Sequence, residues 1–280
     1  MGAGRRIAFQ GEIGAYSEEA ALKLYPGAAL VPCASFDAVF EALEGEAVHA
    51  AVVPIENSLH GSVHANYDLL RDHDVHIRAE WQLRIRHHLL GIPGTTVDQV
   101  RTVLSHPQAL GQCRDFLKRE LPHAEAVPAY DTAGAAKRVA QDAQPAQAAV
   151  ASESAAREYG LTTLASGIES NPNNYTRFLA LEREAGDGRR LSDPKTSVLY
   201  VPGNNIPGVL FKSLAVFALR DIDLFKIESR PLVGSPGKYI FYLDLAGSVA
   251  DETVSNAIGH LQEIAAFVKV LGSYERRPAG

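Results

Sequence analysis

Between Val75 and Ile85 apolar and polar side chains alternate without a break. Val75, Ile77, Ala79, Trp81, Leu83 and Ile85 fall on one face; His76, Arg78, Glu80, Gln82, Arg84 and Arg86 fall on the other. A period of two predicts a long strand with one wet face, crossing from one lobe to another. Ile7-Ala8-Phe9 predicts a short strand, followed by a Gly-containing loop from Gly11 to Tyr16. Ser17 then stands where a helix N-cap is expected, with Glu18 and Glu19 in the first turn. Ser35 opens a second helix, whose Phe36, Val39, Phe40 and Leu43 keep a helical stripe as far as Gly45. Ala50-Ala51-Val52-Val53 is a continuous apolar run, the pattern of a strand covered on both faces. Strands alternating with helices at this spacing predict a largely parallel, layered α/β sheet.

The layering repeats further on. Val103-Leu104-Ser105 ends a strand, and Pro107 opens a helix striped by Leu110, Cys113, Leu117 and Leu121. Ala126-Val127 precedes Asp131-Thr132, which caps a helix from Ala133 to Ala140. Ala148 to Ala151 is a buried strand ending at Ser152-Glu153-Ser154, where another helix begins. The turn Asn171-Pro172-Asn173-Asn174 leads into a strand, Tyr175 to Leu181. Glu182 to Lys195 is polar, carries Gly186, Gly188 and Pro194, and reads as a linker. Beyond it, strand signals at 196–201, 222–229, 239–245 and 268–271 and helix signals after Pro207-Gly208 and after Ser248 give β-α-β-β-α-β, a ferredoxin-like unit.

At 280 residues the chain is long enough for about two domains. A formal charge of −6 argues against a general nucleic-acid surface. Any anion must therefore be held locally, by helix N-termini or single arginines. Two cysteines, Cys33 and Cys113, give neither a disulfide framework nor a metal spacing. No apolar run approaches the ~20 residues of a membrane span. With no apolar leader before Ile7, the expectation is a cytoplasmic protein.

In a sheet of this kind ligands sit beyond the carboxyl ends of the strands. Asn57 and Ser58 hold that position after Val53, and so do Ser105 with His106, and Thr132. Each has an ordinary alternative as a loop or capping residue. Thr176 and Arg177 stand at the mouth of a strand, where the alternative is β-propensity for one and a solvent-facing charge for the other. Successive strand residues point oppositely, so Arg177 braces the cleft or touches substrate, but not from the side Thr176 faces. Six of the ten histidines lie between His60 and His88. His60 and His64 have i, i+4 spacing, but no carboxylate or cysteine pattern completes a zinc set, and a solvated, mildly basic surface is expected.

Six stretches in order carry a resemblance. They are Gly11 to Ala21 (GEIGAYSEEAA), Val53 to Val63 (VPIENSLHGSV), Ser105 to Cys113 (SHPQALGQC), Asp131 to Ala136 (DTAGAA), Asn173 to Phe178 (NNYTRF) and, last, Glu228-Ser229-Arg230-Pro231 after Pro207-Gly208-Val209-Leu210. Over nearly its whole length the chain resembles the prephenate dehydratases of phenylalanine biosynthesis. The resemblance implies an α/β catalytic domain, residues 1–181, with a two-lobed, periplasmic-binding-protein-like (type II) fold whose second lobe is about 86–170. It implies a linker, 182–195, and a ferredoxin-like ACT regulatory domain, 196–280. It also implies a homodimer or homotetramer, with no nucleic-acid or membrane partner.

The implied reaction converts prephenate to phenylpyruvate, water and carbon dioxide. Aromatisation drives it, so no cofactor and no metal is expected. Thr176 is the implied catalytic residue, a positioned donor to the leaving hydroxyl. Asn57, Ser58, Ser105, His106, Gln112, Thr132 and Arg177 are the implied substrate-binding residues, with a turn-forming role equally open for His106. The effector phenylalanine is expected at Pro207, Gly208, Val209, Leu210, Glu228, Ser229 and Arg230. Val209 and Asp223-Leu224-Phe225-Lys226 depart from the family's usual residues near that site. Two other readings compete: arogenate dehydratase, the same elimination on the amino analogue, and a non-catalytic amino-acid sensor. An intact set of Thr176, Asn57, Ser105 and Gln112 argues against the sensor.

Overall fold

The computed structural model describes residues 4–186, 190–204, 206–232 and 234–277; Gly188 of the expected linker lies outside them. The chain separates into two compact units, 4–66 with 81–178 and 67–80 with 179–277. Residues 67–80 group with the C-terminal part of the chain.

Two sheets make up the first unit, although residues 76–80 and 179–182, at the ends of two strands of one of them, group with the second unit. One has the order β2-β1-β3-β11-β5, from β1 (Arg6–Gln10), β2 (Ala29–Cys33), β3 (Ala50–Asn57), β5 (His76–Arg84) and β11 (Tyr175–Glu182), with the two-residue β4 (Gly61–Ser62) on β3. Strand β1 is parallel to both neighbours, Ile7 lying opposite Leu30 and Ala50. The second sheet has the order β10-β6-β9-β7-β8, from β6 (His88–Gly91), β7 (Thr102–Ser105), β8 (Glu125–Pro128), β9 (Gln147–Ala151) and β10 (Thr162–Ser166). Here β7 is parallel to β8 and β9, whereas β6 is antiparallel to β9 and β10. In each sheet the founding strand sits between its second and third, and a strand from elsewhere in the chain is inserted beside the third. That shared order makes this the two-lobed type II periplasmic-binding-protein-like fold.

Helices α1 (Tyr16–Leu24), α2 (Phe36–Glu44) and α3 (His64–Asp72) follow strands of the first sheet. Helices α4 (Pro107–Gln112), α5 (Arg114–Glu120), α6 (Thr132–Asp142) and α7 (Glu153–Glu158) follow those of the second. The stripe of α2 is buried at Val39, Phe40 and Leu43, and Ser35 caps it by accepting from the Ala38 N–H. Helix α1 differs from expectation. Its cap is Ala15, and Ser17 lies buried within the first turn. Ile7, Val52, Leu83 and Phe178 belong to a core of the first lobe and Leu89, Val103, Cys113 and Val150 to one of the second, while a third cluster packs Phe9 and Ala15 of the first against Leu90, Leu104, Ala133 and Ala155 of the second.

In the second unit β12 (Pro194–Pro202), α8 (Val209–Ala218), β13 (Leu224–Pro231), β14 (Tyr239–Ala246), α9 (Glu252–Ile264) and β15 (Ala265–Glu275) form β-α-β-β-α-β. The sheet is antiparallel throughout, in the order β13-β14-β12-β15. Tyr200, Phe217, Leu243, Ile258 and Leu261 fill its core beneath the two helices. Asp251 rather than Ser248 precedes α9, its carboxylate accepting from the Ser248 N–H. The expected wet face of β5 is interrupted at Glu80, which is fully buried. Lys195 explains this, because its ammonium reaches both Glu80 oxygens at 2.8 and 2.9 Å. A buried carboxylate is tolerated when a cation and further donors face it.

Candidate active site

A cavity of about 470 Å³ opens between the lobes of the first unit. Asn57 from the end of β3, Thr176 from the start of β11, His106 and Gln112 from either end of α4, and Thr132 from α6 all line it. Strand ends and helix starts converge here because each βα connection places its loop at the same edge of the sheet.

The polarity of the hydrogen bonds at Thr176 is settled by backbone groups. Asn57 Oδ1 accepts from the N–H groups of Leu59 and His60 at 3.0 and 3.1 Å. The other amide atom is therefore Nδ2, and it faces only acceptors: the Tyr175 carbonyl, Asn174 Oδ1 and Thr176 Oγ1, the last at 3.0 Å. Thr176 accepts in this bond, so the bond does not consume its own hydrogen. The assignment propagates. Asn174 Nδ2 donates to Gln112 Oε1 at 3.0 Å, and that oxygen also faces His87 Nε2 at 2.6 Å. His87 then donates from Nε2, and its Nδ1 lies 3.0 Å from the Tyr16 hydroxyl oxygen, whose hydrogen goes to the Arg86 carbonyl at 2.6 Å. Burial holds the His87 pKa below its usual value.

The loop after β1 is pinned across the cleft. The Ser152 hydroxyl donates to the Gly14 carbonyl and the Tyr159 hydroxyl to that of Ile13. The approach is close enough that a Cβ at Gly14, where φ is +90°, would lie 2.7 Å from Ala155 Cα. Glu12 receives the Tyr130 hydroxyl at 2.7 Å and the Lys137 ammonium at 2.9 Å, and these bonds lower its pKa. Asp131 caps α6 through the Gly134 N–H and accepts the Glu12 N–H at 3.1 Å. Burial raises the Asp131 pKa, opposed by those two donors.

The expected site residues divide. Asn57, His106, Gln112, Thr132 and Thr176 line the cavity; Ser58, Ser105 and Arg177 do not. Ser58 ties the turn to β11, donating to the Asn173 carbonyl and accepting from the Tyr175 N–H. Ser105 is fully buried and donates to the Val150 carbonyl, joining β7 to β9. Arg177 is opposed to Thr176 by the strand period, as its neighbours' burial shows. His106 does two things: Nδ1 accepts from the Gln108 N–H at 3.3 Å, and the ring faces the cavity, with burial lowering its pKa. The expected solvated histidine surface fails at His87, which is only 2 % exposed. His87, Asn174 and Tyr16 are additions that composition did not reveal. Their signal was their place within or beside the motifs, His87 closing a strand pattern and Asn174 inside NNYTRF. Among the described residues, no group of three or more His, Cys, Asp or Glu side chains is placed to hold a metal ion.

Residues 7–186 match the family model described as prephenate dehydratase. The chain belongs to the prephenate dehydratase family. Arogenate dehydratase/prephenate dehydratase 2, chloroplastic, of Arabidopsis thaliana is 50% identical over 281 residues, covering 96% of this chain and 72% of the relative. A prephenate dehydratase from Arthrobacter aurescens, solved in complex with L-Phe, superposes with a TM-score of 0.90 at 32% identity, covering 98% of this chain and 92% of that one. A structure described as GqqA, a novel type of quorum quenching acylase, has a TM-score of 0.88 at 33% identity, covering 98% and 99% of the two chains. The chain is thus a dehydratase of the prephenate and arogenate kind. The cytoplasmic expectation is overturned, because this and further plant relatives are chloroplastic proteins. The expectation rested on the lack of an apolar leader, a pattern that marks secretion and does not distinguish among other compartments.

Proposed function

We propose that this dehydratase turns a prephenate-type cyclohexadienyl dicarboxylate into its aromatic product, with Thr176 as the positioned donor. The supporting observation is the Asn57 amide donating to Thr176 Oγ1 at 3.0 Å. That bond fixes the hydroxyl as acceptor on one side and frees its hydrogen for the ring hydroxyl on the other. As the ring carboxylate departs as carbon dioxide, its bonding pair moves into the ring and expels the hydroxyl, which leaves as water. One proton is taken up overall. A positioned donor of this kind is worth ~10²–10⁴-fold. His106, with Nδ1 engaged by the backbone, offers Nε2–H to a substrate carboxylate or keto oxygen, and Thr132 and Gln112 supply further polar contacts. The second unit reads as an ACT domain binding phenylalanine, a reading that the L-Phe complex of the Arthrobacter relative supports.

The effector set is refined by register. On β13 Glu228 and Arg230 share the half-buried face, and Ser229 falls on the exposed one. Arg230 pairs with Asp68 at 2.7 Å and Glu228 with Lys226 at 3.1 Å. Gly208 stands at the start of α8 with φ of +80°, so the Pro207-Gly208-Val209-Leu210 turn suits a carboxylate at the helix N-terminus.

The test of Thr176 is Thr176→Ala assayed by formation of the aromatic product. The expected result is an intact fold, KM within severalfold and kcat lower by two orders of magnitude or more. Near wild-type kcat would remove Thr176 from the mechanism. Phenylalanine at millimolar concentration is expected to change activity and melting temperature, and no change in either would remove it as effector.

A further inference from the structure

The charge balance of the cavity wall is unusual for a site that takes a dicarboxylate. Among the described residues lining it there is no lysine or arginine, and the only carboxylate is Asp131. Glu12, next to it in space, is already matched by the Lys137 ammonium and the Tyr130 hydroxyl. Among the described residues the hydrogen-bond partners of Asp131 are neutral, one backbone N–H on each oxygen. A carboxylate has about four lone-pair directions, so two acceptor positions remain. No lysine or arginine among the described residues pairs with it; burial raises its pKa, and His106 nearby on the cavity wall acts against that rise without reversing it.

We infer that Asp131 is the subsite for the α-ammonium of the amino form of the substrate, and that it makes this enzyme prefer arogenate to prephenate. The inference rests on the dehydratase reading above and deepens it. Arogenate and prephenate share the ring, its hydroxyl and both carboxylates; they differ where one carries an ammonium and the other a keto group. An ammonium brought to Asp131 supplies the cation that the wall lacks, as a charge-assisted hydrogen bond. A keto group there finds an acceptor facing an acceptor, and prephenate lacks the positive charge that would offset repulsion between Asp131 and its carboxylates. A site that hydrogen-bonds a substrate N–H discriminates strongly against the analogue lacking it. The ordinary role of Asp131, capping α6 and holding the loop after β1, uses the other lone pairs and stands alongside this one.

The experiment compares kcat/KM for arogenate and prephenate in the full chain and in Asp131→Asn, which keeps a capping oxygen for α6. The expected wild type favours arogenate by at least tenfold. Asp131→Asn is expected to lower kcat/KM for arogenate tenfold or more, chiefly through KM, while prephenate gains relative to it, so the ratio collapses toward one. An equal loss on both substrates would assign Asp131 to structure alone and overturn the inference. A wild-type preference for prephenate would overturn it as well, leaving the dehydratase function intact. Turnover of neither substrate would overturn both. Melting temperatures of the two proteins separate loss of fold from loss of recognition.

Discussion

Asn57 Nδ2 donates to Thr176 Oγ1 across 3.0 Å, and the direction of that bond cannot be reversed because the partner amide oxygen is held by two backbone N–H groups. The pair links the end of β3 to the start of β11, residues 119 apart in sequence. Hydroxyl orientation at the site is therefore set by a neighbouring turn.

Reversing that polarity tests the mechanism without deleting a side chain. Asn57→Asp keeps the oxygen that accepts from Leu59 and His60 but replaces the donor by a second acceptor. The Thr176 hydroxyl then donates to the introduced carboxylate and turns its hydrogen from the cleft. The expected outcome is a kcat lowered ~10²-fold or more with a smaller change in KM. Steady-state kinetics on a variant with wild-type circular dichroism measure it. A kcat within threefold of wild type would show that the Asn57 bond does not set the donor.

In the second unit, the buried Lys195–Glu80 pair has side-chain exposures of 7% and 0%. Removing one member of such a pair costs ~3–5 kcal/mol, whereas replacing both by apolar groups is often neutral. Lys195→Met is expected to lower unfolding free energy by that amount, with Glu80 keeping the Arg277 N–H as a partner but losing this cation. Lys195→Met with Glu80→Met is expected to recover most of the loss. Denaturant unfolding of the three proteins is the measurement, and an equal loss in single and double variants would count against a pairwise origin.

The elements that were legible in sequence are those with a local cause. The stripe of α2, the apolar run of β3 and the Asn171–Asn174 turn all follow from propensity and period. Thr176 and Arg177 were separable because a strand alternates. What escaped was decided by distant partners. Glu80 reads as a wet-face residue until Lys195, 115 positions away, is placed beside it. His87 reads as part of a basic surface until β6, α4 and the Tyr16 ring enclose it. Ser58 and Ser105 carry the right chemistry for a ligand, yet nearby carbonyls take their hydroxyls first.

His87 supplies a pH dependence whose sign follows from its burial. The ring is enclosed by Tyr16 and Gln112, with His88 adjacent and the Glu169 carboxylate accepting its backbone N–H at 3.0 Å. Desolvation outweighs the Gln112 bond and Glu169, and the folded-state pKa falls below 6.5. Below that unfolded value the unfolded chain binds the proton more readily than the native one, so stability rises with pH in this window. The stabilisation is fully present above about 6.5 and is lost as pH falls through the folded pKa. His88 and His106, also lowered by burial, act in the same direction. Melting temperature is therefore expected to fall between pH 7 and pH 5. In His87→Gln, which keeps a donor for Gln112, the fall should be shallower but not abolished, since two histidines remain. A pH series of thermal melts on both proteins measures this, and parallel curves would show that His87 does not carry the difference.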